Sequence, residues 1–472
     1  MIRMSARRLA VIVLAAGQGT RMKSATPKVL HTISGRSLIG HVLHTARDLA
    51  PEHTILVVRH ERDRVAAAVE DLVPGLRLVD QDEVPGTGRA VELALAAVPG
   101  DFDGDVVVLS GDVPLVDAAT IQELLDDHRR ADHAASLLTA RLADPSGYGR
   151  VLRSGDGSGV DRIVEQADAT AEEAAVDEVN SGTYAFRVGA LRAALARVGT
   201  TNAQGEKYLT DVIGILRRDG ARILAHEHRD TTVLLGVNDR SQLAEAERIM
   251  NARIVRAHQL AGVTVRDPAT TWIDVEVTIG QDTEILPDTQ LRGATTIGAG
   301  AVIGPDTTIT DTEIGDGARV SRTDATLAVI GAGATVGPFA YLRPGAVLGE
   351  GGKIGTYVEV KNSTIGVGSK VPHLSYIGDA EIGEGTNIGA GAITANYDGK
   401  HKHRTRIGDR VHTGVHNAFV APVEVGDDAT VGAGAVIRRD VPPGALAITA
   451  ASQKNIADWV PPYQRAGGAG DA

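Results

Sequence analysis

The sequence predicts two folds in one chain, an α/β domain with a parallel sheet followed by a parallel β-helix. From Leu9 to about Leu235, short apolar runs alternate with helical patterns, which is typical of a Rossmann-like parallel sheet with helices on both faces. From Ile279 to Ile437, an aliphatic residue returns at every sixth position and is usually followed by glycine. That period matches neither an α-helix nor a hairpin meander, but it suits short strands joined by tight corners.

The six-residue repeat runs through most of the C-terminal half. Each hexad is expected to form one side of a coil, with its aliphatic side chain pointing inward, so that stacked coils share one apolar core. A glycine-rich β-sandwich is the alternative, but its strand spacing would be irregular. The repeating positions are Ile279, Ile285, Leu291, Ile297, Ile303 and Ile309 and, in a second run, Ile330, Val336, Leu342, Leu348, Ile354 and Val360.

Composition limits the classes of function. A chain of 472 residues is too long for one ordinary core, and its net charge of −12 disfavours a broad surface for nucleic acid or anionic membrane. The chain has no cysteine, which excludes disulfides and thiol chemistry. Arg7 and Arg8 before an apolar run imitate a signal peptide, but the run is better interpreted as a buried strand entering a glycine loop. No stretch approaches the roughly 20 apolar residues of a membrane span, so we expect a cytoplasmic protein.

A glycine-containing loop follows the first predicted strand, at the edge where a parallel sheet binds its ligands. Its glycines allow backbone amides to approach phosphate oxygens, and Arg21 and Lys28 supply charge suited to a triphosphate and a departing pyrophosphate. The pattern matches neither a Walker loop nor the full dinucleotide fingerprint. A solvated basic loop is the alternative. The loop runs Leu14, Ala15, Ala16, Gly17, Gln18, Gly19, Thr20, Arg21 and Met22, with Pro27 and Lys28 just beyond.

Further polar residues that could bind a ligand occur later in this domain. Gln81 and Gly86-Thr87 come first, and Ser110-Gly111-Asp112 directly follows the predicted strand Val106 to Leu109. A carboxylate at a strand's end is suited to Mg²⁺ bound to phosphate oxygens, and the amide oxygen of Asn238 is a candidate second ligand. A lone aspartate in such a place is more often a turn residue, but together with the first loop it favours a binding site.

One helix is predicted from Ser241 to Ala261, because apolar residues recur at spacings of three and four. We interpret it as a spacer arm between two domains. The predicted boundaries are 1–240 for the α/β domain, 241–261 for the helical linker and 262–472 for the β-helix with its C-terminal tail.

The residues of the first loop, with Thr-Arg-Met and Pro-Lys attached, resemble the signature of sugar-nucleotide pyrophosphorylases. The whole chain resembles a bacterial bifunctional family of N-acetylglucosamine-1-phosphate uridylyltransferases and glucosamine-1-phosphate N-acetyltransferases, with both halves in the same order. That family makes UDP-N-acetylglucosamine for cell-wall synthesis. The resemblance implies a left-handed coil, Mg²⁺, acetyl-CoA as co-substrate, and a homotrimer with acetyl-transfer sites between subunits.

The resemblance assigns roles in the first reaction, in which N-acetylglucosamine 1-phosphate would attack UTP and expel pyrophosphate. No general base is needed, because a phosphate monoester is already anionic and catalysis is alignment with charge neutralisation. Leu14 to Gly17, Gln81 and Gly86-Thr87 correspond to nucleotide contacts, Arg21 and Lys28 to phosphate contacts, Asp112 and Asn238 to the Mg²⁺ pair, and Gly149, Glu165 and Asn180 to sugar contacts.

The second reaction would transfer an acetyl group from acetyl-CoA to glucosamine 1-phosphate on the β-helix. By resemblance, Arg343 and Lys361 bind the sugar phosphate, His373 takes the amine proton, and Tyr376 and Asn387 position the sugar or the oxyanion. A histidine suits this role because its ordinary pKa is about 6.5. The family pattern also makes the basic insertion 396–404 an arm over this site, where the alternative is a solvated loop. Acetyl-CoA contacts correspond to Ala390, Asn396, Tyr397, Val415 and Ala433.

Two positions depart from the family pattern. Val415 stands where a serine is usual near acetyl-CoA, and Ala450 stands where many members have an arginine suited to a CoA phosphate. Acetyl-CoA binding would then be weaker or carried by other groups, namely Lys400, Lys402, Arg404, Lys454 or Trp459. Two alternatives to the bifunctional hypothesis are a nucleotidyltransferase whose β-helix only oligomerises or regulates, and a non-enzymatic β-helical binding scaffold.

Overall fold

The computed structural model describes residues 7–155, 159–449 and 452–461. The chain divides into two compact units, Met1–Ile254 and Val255–Ala472. Ala450 and the end of the C-terminal tail lie outside the described residues. Among the helices of the described ranges, none combines the length and apolar character needed to cross a membrane.

The first unit is built on one central sheet. The strands of this unit are β1 Arg8–Ala15, β2 Thr32–Ile33, β3 Arg36–Ser37, β4 His53–Val58, β5 Arg77–Asp80, β6 Gly104–Ser110, β7 Ala135–Arg141, β8 Arg150–Arg153, β9 Val160–Val164, β10 Glu178–Arg187 and β11 Ile223–Glu227. All of them belong to the central sheet except β2 and β3, which form a separate two-stranded sheet. Its helices are α1 Leu38–Asp48, α2 Arg62–Val69, α3 Thr87–Ala96, α4 Ala118–Arg130, α5 Ala171–Ala174, α6 Val188–Leu195, α7 Asp211–Arg218 and α8 Arg240–Leu260, with 3₁₀ turns Thr20–Met22, Lys28–Leu30 and Thr231–Leu234.

Strand β1 lies in the middle of this sheet, whose order is β11-β7-β10-β6-β1-β4-β5. Because side chains alternate along a strand, Ala10 and Ile12 belong to one apolar cluster and Val11 and Val13 to another. The two clusters lie on opposite faces of the sheet, which explains why the strand is apolar throughout. The loop after β1 therefore begins from a rigid, fully buried support.

The expectation of a parallel sheet is wrong for β10 and for the β8–β9 hairpin that pairs with it. β10 runs antiparallel to both β6 and β7, whereas β1 pairs in parallel with β4 and β6. The chain between β7 and β10 contains the β8–β9 hairpin instead of a crossover helix. Without a crossover the chain returns in the opposite direction, and the hairpin is carried beside the ligand-binding edge.

The second unit is a left-handed parallel β-helix with three faces. The first face contains β12 Thr264–Val265, β15 Glu284–Ile285, β18 Val302–Ile303, β21 Arg319–Val320, β24 Thr335–Val336, β27 Lys353–Thr356 and β30 Lys370–His373, and continues with β35 His412–Thr413, β38 Thr430–Val431 and β40 Leu446–Ala447. Asn387 joins the two parts of this face through bridges to Lys370 and His412.

The other two faces are longer uninterrupted sheets. The second contains β13 Trp272–Ile273, β16 Thr289–Arg292, β19 Thr307–Thr310, β22 Thr323–Thr326, β25 Ala340–Leu342, β28 Glu359–Lys361, β31 Tyr376–Gly378, β33 Ile393–Ala395, β36 Ala418–Val420 and β39 Val436–Ile437. The third contains β14 Thr278–Ile279, β17 Thr296–Ile297, β20 Glu313–Ile314, β23 Val329–Ile330, β26 Ala346–Leu348, β29 Ser363–Ile365, β32 Ala380–Ile382, β34 Thr405–Ile407 and β37 Val423–Val425.

The inward placement of the hexad residues is confirmed. All twelve repeating positions named above are buried except Ile279, which is half-buried in the third face near the start of the coil. The glycine after the aliphatic residue has a steric cause: a Cβ on Gly280 would lie 2.6 Å from the backbone nitrogen of Ala299 in the next coil. The repeat therefore encodes both the core and the close stacking of successive coils.

The predicted break in the repeat is also present. Between β33 and β34 the chain leaves the coil, and Tyr397 forms an antiparallel bridge with Lys402. The Asp398 side chain accepts hydrogen bonds from the backbone amides of Lys400 (2.8 Å) and His401 (2.7 Å). These local bonds give the insertion a defined hairpin shape outside the regular coil.

Candidate active sites

Three residues from distant parts of the chain meet at the carboxyl edge of the first unit's sheet. Lys28 lies in a 3₁₀ turn, Asp112 follows β6, and Asn238 comes just before α8. The Lys28 ammonium forms an ion pair with Asp112 and donates a hydrogen bond to Oδ1 of Asn238 at 3.1 Å. The backbone also joins the last two segments, since the Val237 amide donates to the Asp112 carbonyl at 2.8 Å. The positively charged Lys28 ammonium thus lies between Asp112 and Asn238, the two predicted metal ligands.

A cavity of about 340 Å³ opens beside this cluster. Gly86 forms part of its wall at the start of α3, and no larger residue fits there, because a Cβ would lie 2.3 Å from the carbonyl oxygen of Lys207. Gln81 donates its amide to the carbonyls of Val84 and Gly86, both at 3.1 Å. The lining includes the predicted residues Leu14, Ala16, Gly17, Gln81, Gly86, Thr87, Ser110 and Asp112, and also Arg59, His60 and Glu206.

Five predicted residues of this site do not line the cavity, namely Ala15, Gly111 and Arg21, and also Lys28 and Asn238 of the cluster described above. Ala15 is buried in β1, and the Gly111 amide donates to the Leu14 carbonyl at 2.8 Å, so both act as support for the loop. Arg21 lies in the turn Thr20–Met22 with an exposed side chain that has no ion pair within residues 7–155, 159–449 and 452–461. Its guanidinium is therefore available to an incoming anion.

The predicted sugar residues gather on β10 and the β8–β9 hairpin. The Asn180 amide donates to the Gly149 carbonyl at 2.9 Å, and a Cβ on Gly149 would lie 3.5 Å from Oε2 of Glu165. Asn180 lies where the register of β10 shifts, and its side chain donates to the Tyr184 hydroxyl at 2.7 Å. A register shift of this kind re-aims side chains out of the regular ladder.

Glu165 has the most perturbed environment of this group. Burial raises the pKa of its carboxyl, and the nearby carboxylates of Asp168, Asp211 and Glu206 raise it further. A hydrogen bond from Thr210 at 3.1 Å opposes that shift. Thr210 cannot be predicted as a partner of Glu165 from sequence, because it is part of an ordinary polar segment before α7 and carries no motif of its own.

The donor set at the edge of the sheet suits Mg²⁺. Asp112 supplies a carboxylate and Asn238 a neutral amide oxygen, and Mg²⁺ is commonly held by one or two protein oxygens together with phosphate oxygens and water. Within the described part of the chain, no group of three or more His, Cys, Asp or Glu side chains could hold a metal ion. A two-residue site completed by phosphate is therefore the metal chemistry that these residues fit.

On the β-helix, a second group of residues surrounds Asp379. Lys361 lies 3.5 Å from Oδ2 of this carboxylate, Asn362 donates to Oδ1 at 2.6 Å, and Asn396 also donates to Oδ2. Burial alone would raise the pKa of Asp379, but these hydrogen bonds and the Lys361 charge hold it below its ordinary value. The Asn396 amide also reaches the Tyr376 hydroxyl at 3.4 Å.

Lys402 brings a second ammonium group to this place. It approaches Lys361 from the insertion, and that contact lowers the pKa of Lys402. Two lysines beside one carboxylate leave excess positive charge, which is the condition for binding an anion such as phosphate. From sequence alone Lys402 is a candidate CoA contact, because nothing in the repeat indicates how the insertion folds back. Arg343 lies on the same face and pairs with Glu359 at 2.9 Å.

The remaining predicted residues form a column along one corner of the coil. The Gly391 amide donates to the His373 carbonyl at 3.3 Å, and the His416 amide donates to the Ala390 carbonyl at 2.7 Å. The next coil continues the pattern, since the Gly434 amide donates to the Val415 carbonyl at 2.8 Å. His373, Ala390, Val415 and Ala433 therefore follow one another in successive coils, with Asn387 on the adjoining face.

The His373 imidazole is exposed and has no hydrogen bond to another side chain in the described ranges. The Tyr397 ring is also exposed, and its hydroxyl donates to the Gly399 carbonyl at 2.7 Å. Val415 is 46% exposed, so its apolar surface faces outward in the column. A ligand lying along this corner would meet the imidazole at one end and Val415 and Ala433 further along.

Comparison with known proteins gives the same two-part division. Residues 11–219 match the MobA-like NTP transferase domain, residues 276–311 match the bacterial transferase hexapeptide (six repeats), and residues 404–439 match the hexapeptide repeat of succinyl-transferase. Proteins named bifunctional protein GlmU match almost the whole chain. The identity is 58% for Clavibacter sepedonicus over 96% of this chain and 91% of that protein, and 54% for Micrococcus luteus over 97% and 94%.

The relative from Mycobacterium bovis is 56% identical over 96% of this chain and 92% of that protein. Similarity over 96% to 97% of the chain extends across both units. A nucleotidyltransferase with only a scaffold attached is therefore not supported. The chain belongs to the family of bifunctional GlmU proteins, with a uridylyltransferase unit and an acetyltransferase unit.

Proposed function

We propose that the uridylyltransferase unit joins N-acetylglucosamine 1-phosphate to UTP at the cluster of Lys28, Asp112 and Asn238. The observation that carries this proposal is the Lys28 ammonium held between two oxygen ligands at the edge of the sheet. The cavity beside it has room for a nucleoside, and the Glu165 and Asn180 group lies on the adjoining hairpin and strand. A Cβ on Gly182 would lie 3.1 Å from Oγ of Ser110, so that strand is close to the nucleotide cavity.

In this reaction, an oxygen of the sugar phosphate forms a bond to the α-phosphorus of UTP as the bond to pyrophosphate breaks. No proton has to be removed, because the attacking phosphate is already anionic. Lys28 and Arg21 neutralise the charge that builds on the phosphate oxygens, and the wall at Gly86 and Gln81 holds the base. Glu165 and Asn180 orient the sugar. When bound, Mg²⁺ on Asp112 and Asn238 would supply further charge neutralisation.

The acetyltransferase unit is proposed to act on glucosamine 1-phosphate with acetyl-CoA. Arg343, Lys361 and Lys402 bind the sugar phosphate, which relieves the repulsion between the two lysines. His373 removes the proton as the amine attacks the thioester carbonyl, a new amide bond forms, and CoA leaves as the thiol. Tyr376, Asn387 and Asn396 orient the sugar and the oxyanion, while Ala390, Tyr397, Val415 and Ala433 contact acetyl-CoA.

The two reactions in sequence consume glucosamine 1-phosphate, acetyl-CoA and UTP and make UDP-N-acetylglucosamine. We further propose that the protein acts in the cytoplasm as a homotrimer. The exposure of His373 and Val415 supports the homotrimer, because a neighbouring subunit lying against this column would complete the acetyl-CoA site.

The two reactions can be tested separately on one preparation. Lys28→Met is expected to lower the rate of pyrophosphate release by about 10²- to 10³-fold, as for loss of one group that stabilises transition-state charge, without changing CoA release. His373→Ala should lower the rate of CoA release without changing the rate of pyrophosphate release. Absence of CoA release in the unmodified protein, or equal losses of both activities in either variant, would contradict these assignments.

A further inference from the structure

Helix α8 contacts the loops of the first site instead of only connecting the two units. Its first residues up to Ile254 belong to the first unit. An apolar stripe that includes the buried Ala246 packs against Ile33, Leu38 and Leu115. Ile33 and Leu38 flank the turn that follows Lys28 in the chain, and Leu115 follows Asp112. The helix therefore packs on the segments that carry the catalytic lysine and the acidic metal ligand.

Polar side chains of α8 extend these contacts to the loop of residues 16–37. The Arg240 Nε donates to the Met22 carbonyl at 3.3 Å, directly after Arg21. The Glu247 carboxylate accepts the Ser34 amide at 2.9 and 3.1 Å and the Ser34 hydroxyl at 3.2 Å. Ser34 is buried with φ of 44°, a left-handed conformation that costs energy for a residue with a side chain. Glu247 thus stabilises an unfavourable turn.

Two further contacts support the other side of the site. The Gln242 side-chain oxygen accepts a hydrogen bond from the backbone amide of Asn238 at 2.8 Å, and Arg253 Nη1 donates to the Leu115 carbonyl at 2.6 Å. With about 100° of rotation per residue, Arg240 and Glu247 lie next to each other on one side of the apolar stripe, about 100° to 120° from Ala246. Gln242 and Arg253 lie within the stripe, about 20° to 40° from Ala246. The helix holds both edges of the catalytic cluster from one rigid element.

Loop 16–37 needs such support because only short turns and two-residue strands occur within it. Loops with few internal contacts open easily, whereas Arg21 and Lys28 act through alignment with the phosphates. A displacement of about 1 Å at such groups can cost about 10²-fold in rate. Holding the loop at Met22 and Ser34 places one contact before Lys28 and one after it.

We propose that Arg240 and Glu247 are positioning residues for uridylyl transfer, which hold loop 16–37 so that Arg21 and Lys28 face the triphosphate. This inference rests on the proposed location of uridylyl transfer at Lys28. Neither residue touches the reacting atoms. Their loss should therefore lower kcat while the nucleotide cavity and the sugar residues continue to bind their substrates.

The test uses the full-length chain with Arg240→Met, Glu247→Gln and the double substitution. The matched control is Arg248→Met on the same helix, where Arg248 pairs with Glu245 at 2.6 Å on the exposed side. For each protein, kcat and both KM values of pyrophosphate release are measured, together with CoA release and the temperature of unfolding. Arg240→Lys, which keeps a charged donor, serves as the rescue variant.

We expect the double substitution to lower kcat for pyrophosphate release by about 10- to 100-fold, with unchanged KM values and CoA release, at an assay temperature well below the unfolding temperature of every variant. Arg240→Lys should recover part of the loss of Arg240→Met, and Arg248→Met should match the unmodified protein. A kcat unchanged in the double variant, a loss shared by the control, or a loss explained by reduced unfolding temperature would overturn the proposal. No pyrophosphate release by the unmodified protein would instead contradict the proposed function.

Discussion

Burial raises the pKa of the Glu165 carboxyl and so favours its neutral form, whereas the sugar-binding role proposed for Glu165 favours the charged form. Burial raises its folded-state pKa above the ordinary 4.5, so the folded protein holds this proton more tightly than the unfolded chain. Its contribution to stability is fully present below about pH 4.5 and is lost as the pH rises through the raised value. As the pH rises through the raised pKa, ionisation of this carboxyl lowers the stability of the fold. The proposed binding of sugar hydroxyls by its charged oxygens accounts for a carboxylate at this position.

Glu165→Gln should separate the two effects. The amide keeps an acceptor for the Thr210 hydroxyl but never ionises, so the unfolding temperature at pH 7 should rise, with no gain below pH 4.5. The KM for N-acetylglucosamine 1-phosphate should increase about tenfold, as expected when a charge-assisted hydrogen bond is weakened. Unfolding curves at several pH values and initial rates measure both. An unfolding temperature that falls at pH 7 would contradict this account.

Individual residues were predictable from sequence where the backbone pattern fixes their position. Asp112 and Lys28 were predicted at one edge because both follow elements of a sheet whose strands end there. Lys402 was not predicted beside Lys361, because the insertion is shaped by bonds to Asp398 and by one bridge at Tyr397. Such local bonds leave no period in the sequence, so neither motif spacing nor hydrophobic pattern indicates which way the lysine points.

At the scale of elements, each coil of the β-helix depends on its own inward residue. In β23, Ile330 is 1% exposed and its neighbour Val329 is 38% exposed. Ile330→Ala should destabilise the second unit by about 2 to 5 kcal/mol through lost burial and a cavity. Val329→Ala is the matched control, with an expected change of about 0.5 kcal/mol or less.

The effect of Ile330→Ala is measured by unfolding the full chain in denaturant, with CoA release and pyrophosphate release as the two probes of the folded units. CoA release should be lost at lower denaturant, because stability in a coiled repeat depends on contacts between neighbouring coils. Pyrophosphate release should keep its midpoint. If the denaturant midpoints of both activities shifted equally, or if Ile330→Ala and Val329→Ala had equal effects, the stability of the second unit would not depend on the inward residue of each coil.

Elements whose pattern is periodic were predicted well, and those set by tertiary packing were not. The coil and the helix α8 follow from spacings of six and of three to four. The direction of β10 could not be predicted, because a strand's apolar pattern is the same in either direction and only the β8–β9 connection decides it. The spacer interpretation of α8 likewise used its amphipathic pattern but could not identify Ser34 and Met22 as its partners.

At the scale of the whole molecule, the residues proposed for the two reactions lie in different units of one chain. The Lys28 cluster lies in Met1–Ile254 and the His373 column in Val255–Ala472. Neither cluster contains a residue of the other. A protein lacking one activity should therefore retain the other, and the shared intermediate, N-acetylglucosamine 1-phosphate, has to pass between separate sites.

Mixing Lys28→Met with His373→Ala tests how that intermediate travels. Each variant alone should fail to make UDP-N-acetylglucosamine from glucosamine 1-phosphate, acetyl-CoA and UTP. The mixture should make it after a lag, because the His373→Ala protein can use intermediate released by the Lys28→Met protein. The lag should disappear when N-acetylglucosamine 1-phosphate is added. A mixture that makes no product, although each variant retains its own half-reaction, would mean that the intermediate is not released to solution, because free diffusion between two intact sites requires restored synthesis.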